Sequence, residues 1–197
     1  MKRILLALVA LLTLSASVTA QITAPVVEQR LETDSKYLKG AVPEHDGHCY
    51  LTRTVEVPAT LSQEEVIQRL GTWIERCMND ERVLYHQSLP APEENQLMHS
   101  VLMRITFSKT MLSHDFADMS YVIYLTSTPG KVVMNLERIM YKYREGEKEA
   151  RYPAEEMISD GYALSKKGRL VLGYKRFRMK TIDFMDELSI SLQKEFQ

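Results

Sequence analysis

The sequence predicts an α+β domain: an antiparallel sheet of about five strands with two main helices on one face, in the order β-α-β-β-β-β-α. Three observations carry that prediction. The stretch CYLTRTVEVP alternates Cys49, Leu51, Val55 and Val57 with Tyr50, Thr52, Thr54 and Glu56, the period of a half-buried strand. The stretch LSQEEVIQRLGTWIERCM, Leu61 to Met78, repeats its apolar residues at helical spacing. The segment Phe177 to Phe196 does the same, with Ile182, Met185, Leu188, Leu192 and Phe196 on one face and polar residues on the other.

Each element has a local reason. Pro58 closes the first strand because it cannot donate to a ladder. Arg53 is the misfit on the apolar side of that strand, and its long stem can carry the charge past a sheet edge. Ser62 is an N-cap, Glu65 completes a capping box, and Leu61 and Val66 stand where a hydrophobic staple places them. Val66, Leu70, Trp73, Ile74 and Cys77 then mark one stripe, which Gly71 weakens without breaking. Four strands follow: Arg82 to Ser88, Ser100 to Ser108, Met119 to Ser127 and Lys131 to Tyr143. The second of these puts Val101, Met103, Ile105 and Phe107 on one face. The turn TPGK joins the last two as a hairpin, and the loop KTMLSHDFAD joins the middle pair. A short helix is expected from Pro153, since proline suits the first helical position.

The chain opens with MKRILLALVALLTLSASVTA, which reads as a secretory signal. Lys2 and Arg3 are basic, Ile4 to Leu14 are apolar but for Thr13, and Val18-Thr19-Ala20 supplies the small residues before a cleavage site. Cleavage near Ala20-Gln21 is expected to leave the mature chain outside the cytoplasm, periplasmic or secreted. An uncleaved anchor is the alternative, but the apolar run is short for a bilayer and no later segment is long enough to span one. Residues 21–47 carry Pro25, Gly40, Pro43 and Gly47 without a sustained apolar period and read as a lead-in, with a short helix around Val27 to Leu38; the domain is expected over 48–197. Without the signal, 23 basic residues stand against 26 acids, a net charge of about −3. That balance gives no polyanion footprint, so nucleic acid is not an expected partner.

The arrangement also carries a resemblance. The first strand TRTVEVP, the helix LSQEEVIQRLGTWI with its late tryptophan, the meander YVIYLTSTPGKVVMNLERI and the terminal helix IDFMDELSISL are similar to an uncharacterised family of exported bacterial domains with a TBP-like fold. The likeness runs from about Tyr50 to Phe196 and implies that fold. It implies no activity, because the family has none established, and a fold does not confer a function.

EHDGHCY, Glu44 to Tyr50, crowds His45, Asp46, His48 and Cys49 together, ligand types that suit zinc. A second ligand cluster at matching spacing is lacking, so no metal or cofactor is expected, and the segment reads as the turn that launches the first strand. Two cysteines in an exported chain suggest one disulfide. The first strand extends roughly 30 Å and the first helix returns roughly 24 Å, so a helix folded back over its strand brings Cys49 and Cys77 to one end. That closure contributes roughly 3–4 kcal/mol if unstrained; two buried free thiols are the alternative. Ser113-His114-Asp115 lines up triad residue types, but neighbours in sequence do not converge in space. GxSxG, HExxH and phosphate-loop motifs are absent from the sequence. The basic run KKGRLVLGYKRFRMK, Lys166 to Lys180, could meet lipid headgroups or acidic glycans, or be a solvated face.

The remaining candidate is the sheet face away from the helices, with Tyr50, Thr52, Thr54, Arg104, Tyr124, Asn135, Glu137 and Tyr141. Tyr50, Arg104, Tyr124 and Glu137 are the expected binding residues. The functional expectation is an exported, non-catalytic module that binds a protein, a peptide or an envelope component. Its alternatives are a small hydrolase using the loops near His114 or His48, and a structural subunit forming a homodimer through the open sheet.

Overall fold

The alternating segments after Cys49 pair into a six-stranded antiparallel sheet in the computed structural model, which describes residues 35–109, 114–145 and 148–197. The expected signal peptide over 1–20 lies outside the described residues, as do residues 21–34 of the lead-in, which hold most of its expected helix over Val27 to Leu38. Leu38–Gln197 forms one packed unit. Two short strands, β1 (Glu44–His45) and β2 (His48–Cys49), make a small hairpin ahead of β3 (Leu51–Glu56). Helix α1 (Gln63–Met78) follows, then β4 (Val83–Leu89), β5 (Gln96–Lys109), β6 (His114–Thr128), β7 (Lys131–Glu145) and β8 (Lys148–Pro153). Two single turns, α2 (Ala154–Met157) and α3 (Asp160–Ala163), lead to the terminal helix α4 (Leu172–Glu195).

The predicted class holds, with additions. Ser62 Oγ accepts from Glu65 N at 3.3 Å while Glu65 Oε2 accepts from Ser62 N at 2.8 Å, so the capping box starts α1 as its residues require. Helix α4 begins five residues before Phe177, and β8 is a strand that the charged stretch REGEKEA did not suggest. Two-residue Pro129-Gly130 links β6 to β7, with Gly130 at φ 77°, where a side chain would be strained. Helix α1 packs over β5 and β6, and α4 packs over β3. Trp73, Leu70, Leu51, Met134, Phe177 and Met185 are among the core residues with almost no exposure. Trp73 Nε1 donates to Ser191 Oγ at 3.1 Å, which ties α1 to α4. Arg53 points to the helix side and its guanidinium bonds Asp186 of α4 at 2.7 Å, close to the edge role its sequence position suggested.

That layout removes the basis for the expected disulfide. The pairing needs α1 to fold back over β3, but α4 occupies that place and α1 crosses to the middle of the sheet. Cys77 therefore sits beside Met103 and Tyr121, while Cys49 lies at the outer edge, where its N–H donates to Glu155 Oε1 at 2.8 Å. Both cysteines are free. Burial, with Glu155 and Glu44 close by, pushes the Cys49 thiol up to about 12, and burial pushes Cys77 up to about 11.

Sheet order is β3-β7-β6-β5-β4, with β8 also on β7. Because β6 takes one side of β7, β3 and β8 share the other, end to end. β3 covers Lys131 to Leu136 and β8 covers Met140 to Glu145, so Glu137, Arg138 and Ile139 fall in the gap between them. The same place is a β-bulge. Val122 pairs with Glu137 and Ser120 with Met140, so β7 spends one residue more than β6. Arg138 takes φ 54°, a left-handed conformation that costs a non-glycine residue about 1–2 kcal/mol. The bulge shifts the alternation, and this corrects one expectation. Tyr141 lies in the core, not on the open face: it is fully buried, meets Phe177 at 5.2 Å between ring centroids, and bonds Thr181 Oγ1 at 2.7 Å.

Candidate functional site

A cleft of about 560 Å³ opens at the gap in the outer edge of β7. One wall is the β1–β2 hairpin. Its two-residue loop, Asp46-Gly47, has φ of 50° and 78°, the paired positive values that a tight hairpin turn demands. Asp-Gly supplies that turn, so EHDGHCY is a complete hairpin and not only a bend before β3. The other wall is the bulged stretch of β7 with Asn135, Glu137 and Arg138, and Tyr50 lies between the two. Both non-glycine residues with positive φ among the described residues, Asp46 and Arg138, line this one cleft.

Several of its polar groups are already occupied. Thr52 Oγ1 donates to Asn135 Oδ1 at 2.7 Å, which fixes that amide. Glu155 of α2 accepts from Cys49 N and stands 3.5 Å from His48 Nδ1. His45 Nε2 is 3.4 Å from Asp46 Oδ2, and both side chains are largely in water. By contrast, the side chains of Tyr50, Glu137 and Arg138 have no hydrogen-bond or ion-pair partner among the described residues. An acid, a base and a phenol are thus held side by side with their bonding capacity unused. No three His, Cys, Asp or Glu side chains gather closely enough to hold a metal ion among the described residues.

The four expected binding residues separate into two places. Tyr50 and Glu137 line the cleft together. Tyr124 pairs with Asn135 across β6 and β7, at the margin of the same cleft. Arg104 pairs with Asp118, six residues along β6 from Tyr124, or roughly 20 Å away. There it bonds Asp118 at 2.8 Å and lies 4.0 Å over the Phe116 ring, so its charge is used inside the sheet face. Arg138 was missed, although a signal for it exists. In VVMNLERIMYKY the alternation of Val132, Met134 and Leu136 stumbles at the adjacent polar pair Glu137-Arg138 and restarts at Ile139, which is how an extra residue in a strand reads.

Two other clusters are spoken for by the fold. On β6, Asp115 bonds the Arg176 guanidinium and accepts from Tyr143 Oη at 3.1 Å, while Arg176 sits 4.8 Å over Phe107. A recess of about 370 Å³ between α1 and α4 contains Arg82 and Arg76, but Arg82 pairs with Asp80 and Glu187, and Arg76 with Glu195.

Comparison with known proteins places this geometry in a family. A sequence profile described as a domain of unknown function (DUF4468) with TBP-like fold matches residues 52–142. The crystal structure of a DUF4468 family protein from Bacteroides ovatus superposes with a TM-score of 0.74 at 32% identity, over 83% of this chain and 94% of that one. The chain belongs to the DUF4468 family. A TBP-like protein from Parabacteroides distasonis shares the fold, with a TM-score of 0.63 at 17% identity over 79% of this chain and 97% of the other. No curated protein matches the chain. The DUF4468 match begins in β3 and ends in β7, so it takes in Asn135, Glu137 and Arg138 and leaves out the β1–β2 hairpin and β8. In this DUF4468 protein the cleft therefore joins the profile's strands to the segments that flank them.

Proposed function

We propose that this DUF4468 protein is an exported binding module, and that its cleft holds a short peptide or an amino-acid-like zwitterion without transforming it. The observation that carries the reading is Arg138. A strained, charged residue is kept at a position where glycine costs less, beside Glu137, with neither charge used internally. Adjacent opposite charges fit a ligand that carries an ammonium and a carboxylate, and Tyr50 offers a flat apolar surface with a polar tip. The cleft volume lies within the range of small-ligand sites. Export is supported by the signal-like N-terminus alone. The hydrolase alternative loses support because Asp115 is committed to Arg176 and Tyr143. Self-association through the open face has one observation in its favour, the exposure of Tyr85 and Met140 on that face.

Titration of labelled protein with a panel of zwitterionic di- and tripeptides, followed by amide chemical shifts, tests the reading. Shifts are expected at Tyr50, Asn135, Glu137 and Arg138. Arg138→Gly is expected to weaken binding at least about tenfold, the cost of a charged hydrogen bond, while stabilising the fold. Relief of left-handed strain contributes about 1 kcal/mol, which raises Tm by about 2–4 °C in a chain of this size. Shifts centred elsewhere, or peptide affinity unchanged in both Arg138→Gly and Glu137→Gln, would remove the cleft as the site. Silence across the whole panel would remove the zwitterion.

A further inference from the structure

The basic run Lys166 to Lys180 takes no part in the cleft, and its geometry points to a different partner. Residues 163–171 fold into a tight loop. Val171 N donates to Ala163 O at 2.9 Å, Leu164 bridges Leu170, and Ser165 N donates to Arg169 O at 2.8 Å. Gly168, at φ 71°, lets the chain reverse, and the tip presents Lys166, Lys167 and Arg169 to water. Helix α4 starts directly at the base of this loop. Its first residue, Leu172, is 89% exposed, the most of any large apolar side chain among the described residues. Beside it Tyr162, half exposed, meets Tyr174 edge to face at 6.2 Å.

One helical turn on, Leu172, Met179 and Phe107 line a groove of about 650 Å³ that also carries Lys175 and Lys180, with Asp183 at its far end. Arg176 beneath it is paired with Asp115. Lys166, Lys167, Arg169, Lys175 and Lys180, in contrast, have no ion-pair partner among the described residues. Five cations without an ion-pair partner among the described residues thus share the loop and the first turns of α4 with the exposed Leu172, on a chain whose net charge is negative.

A solvated basic face does not need a leucine held almost wholly in water. A soluble polyanion does not need it either. We propose that the 163–171 loop and the first turn of α4 dock on an anionic lipid surface, with Leu172 and Tyr162 entering the headgroup layer and the five cations meeting phosphates. Cations flanking exposed leucine and tyrosine are the composition of interfacial anchors.

Sedimentation with vesicles tests this, using the chain purified from the exported fraction. One set of vesicles is phosphatidylcholine alone and the other contains about 30% phosphatidylglycerol. Binding is expected to the anionic set only, and to fall as salt rises from about 0.05 to 0.5 M. The triple variant Lys166→Glu, Lys167→Glu and Arg169→Glu is expected to bind roughly 100-fold more weakly. Leu172→Ser is expected to lose roughly tenfold on vesicles while heparin retention stays unchanged. All four positions are exposed, so circular dichroism should be identical across the set. Equal binding to neutral vesicles, or a triple variant that sediments like the parent, would overturn the proposal. Heparin retention without vesicle binding would also overturn it and assign the patch to a soluble acidic polymer.

Discussion

Replacing Arg178 with alanine is expected to destabilise the protein by about 3–5 kcal/mol, the cost of breaking a buried charge pair from one side. Arg178 is completely buried on α4. Its guanidinium donates to Ile158 O, to Leu38 O at 2.6 Å and to Asp160 Oδ1 at 2.6 Å. Asp160 in turn accepts from Gly40 N at 2.8 Å. One side chain therefore joins the terminal helix, the turn between α2 and α3, and the segment that leads into the β1–β2 hairpin. Alanine leaves Asp160 Oδ1 and two carbonyls without the guanidinium donor. Urea unfolding reads the loss, and Arg178→Lys is expected to restore part of it because it keeps the charge but not the fork. A loss below about 1 kcal/mol would show that water replaces the guanidinium. The hairpin wall of the cleft depends on the same anchor, so early proteolysis between Leu38 and Cys49 should accompany the loss.

Alkaline unfolding is the second large effect. Cys49 and Cys77 ordinarily titrate near 9.0 and in the fold only at about 12 and about 11. Tyr121 and Tyr141 ordinarily titrate near 10.0, and burial pushes both phenols well above that. In each case the neutral form is the one the fold favours. The unfolded chain loses these protons first, so their contribution is complete below about pH 9 and declines as pH rises from there. Each group adds a slope of about 1.4 kcal/mol per pH unit while it titrates in the unfolded chain alone. Melting temperature is expected to drop steeply between pH 9 and 11, and Cys49→Ala with Cys77→Ala should delay the onset by about one pH unit. Thiol-reactive dye should modify neither cysteine rapidly at pH 8 until denaturant is added. A melting temperature that stays level from pH 8 to 11 would show that these groups ionise inside the fold.

Much of this architecture was legible in residue order because its signals are local. The capping box at Ser62 and Glu65, the turn at Pro129-Gly130 and the stripe of α4 each need only a few neighbouring residues to be recognised. What escaped was set by pairing and packing that the local pattern does not encode. Lys148–Pro153 is a strand because Met140 to Glu145 lies open beside it, not because its own sequence alternates. Cys49 and Cys77 looked like partners only under the assumption that a helix returns over the strand before it, whereas α4, the last element, has taken that position. Tyr50 and Glu137 were found by alternation, and Tyr141 was misplaced by the same rule because the bulge at Arg138 resets it. Arg104 has the right face and the wrong neighbour: Asp118, directly across the pair, uses its charge.

The divided outer edge of β7 also dictates an order of assembly. Strands β5, β6 and β7 join by neighbouring hairpins, and such short-range pairings close quickly. β3 must find Lys131 to Leu136 from the far end of the chain, which carries a larger loop-closure entropy and delays that pairing. The pocket beside Arg138 has one rim from each class of pairing, so it comes into being only at the last step. The complete cleft is thus a marker of the finished sheet, because its hairpin wall is in place only when β3 has paired with β7.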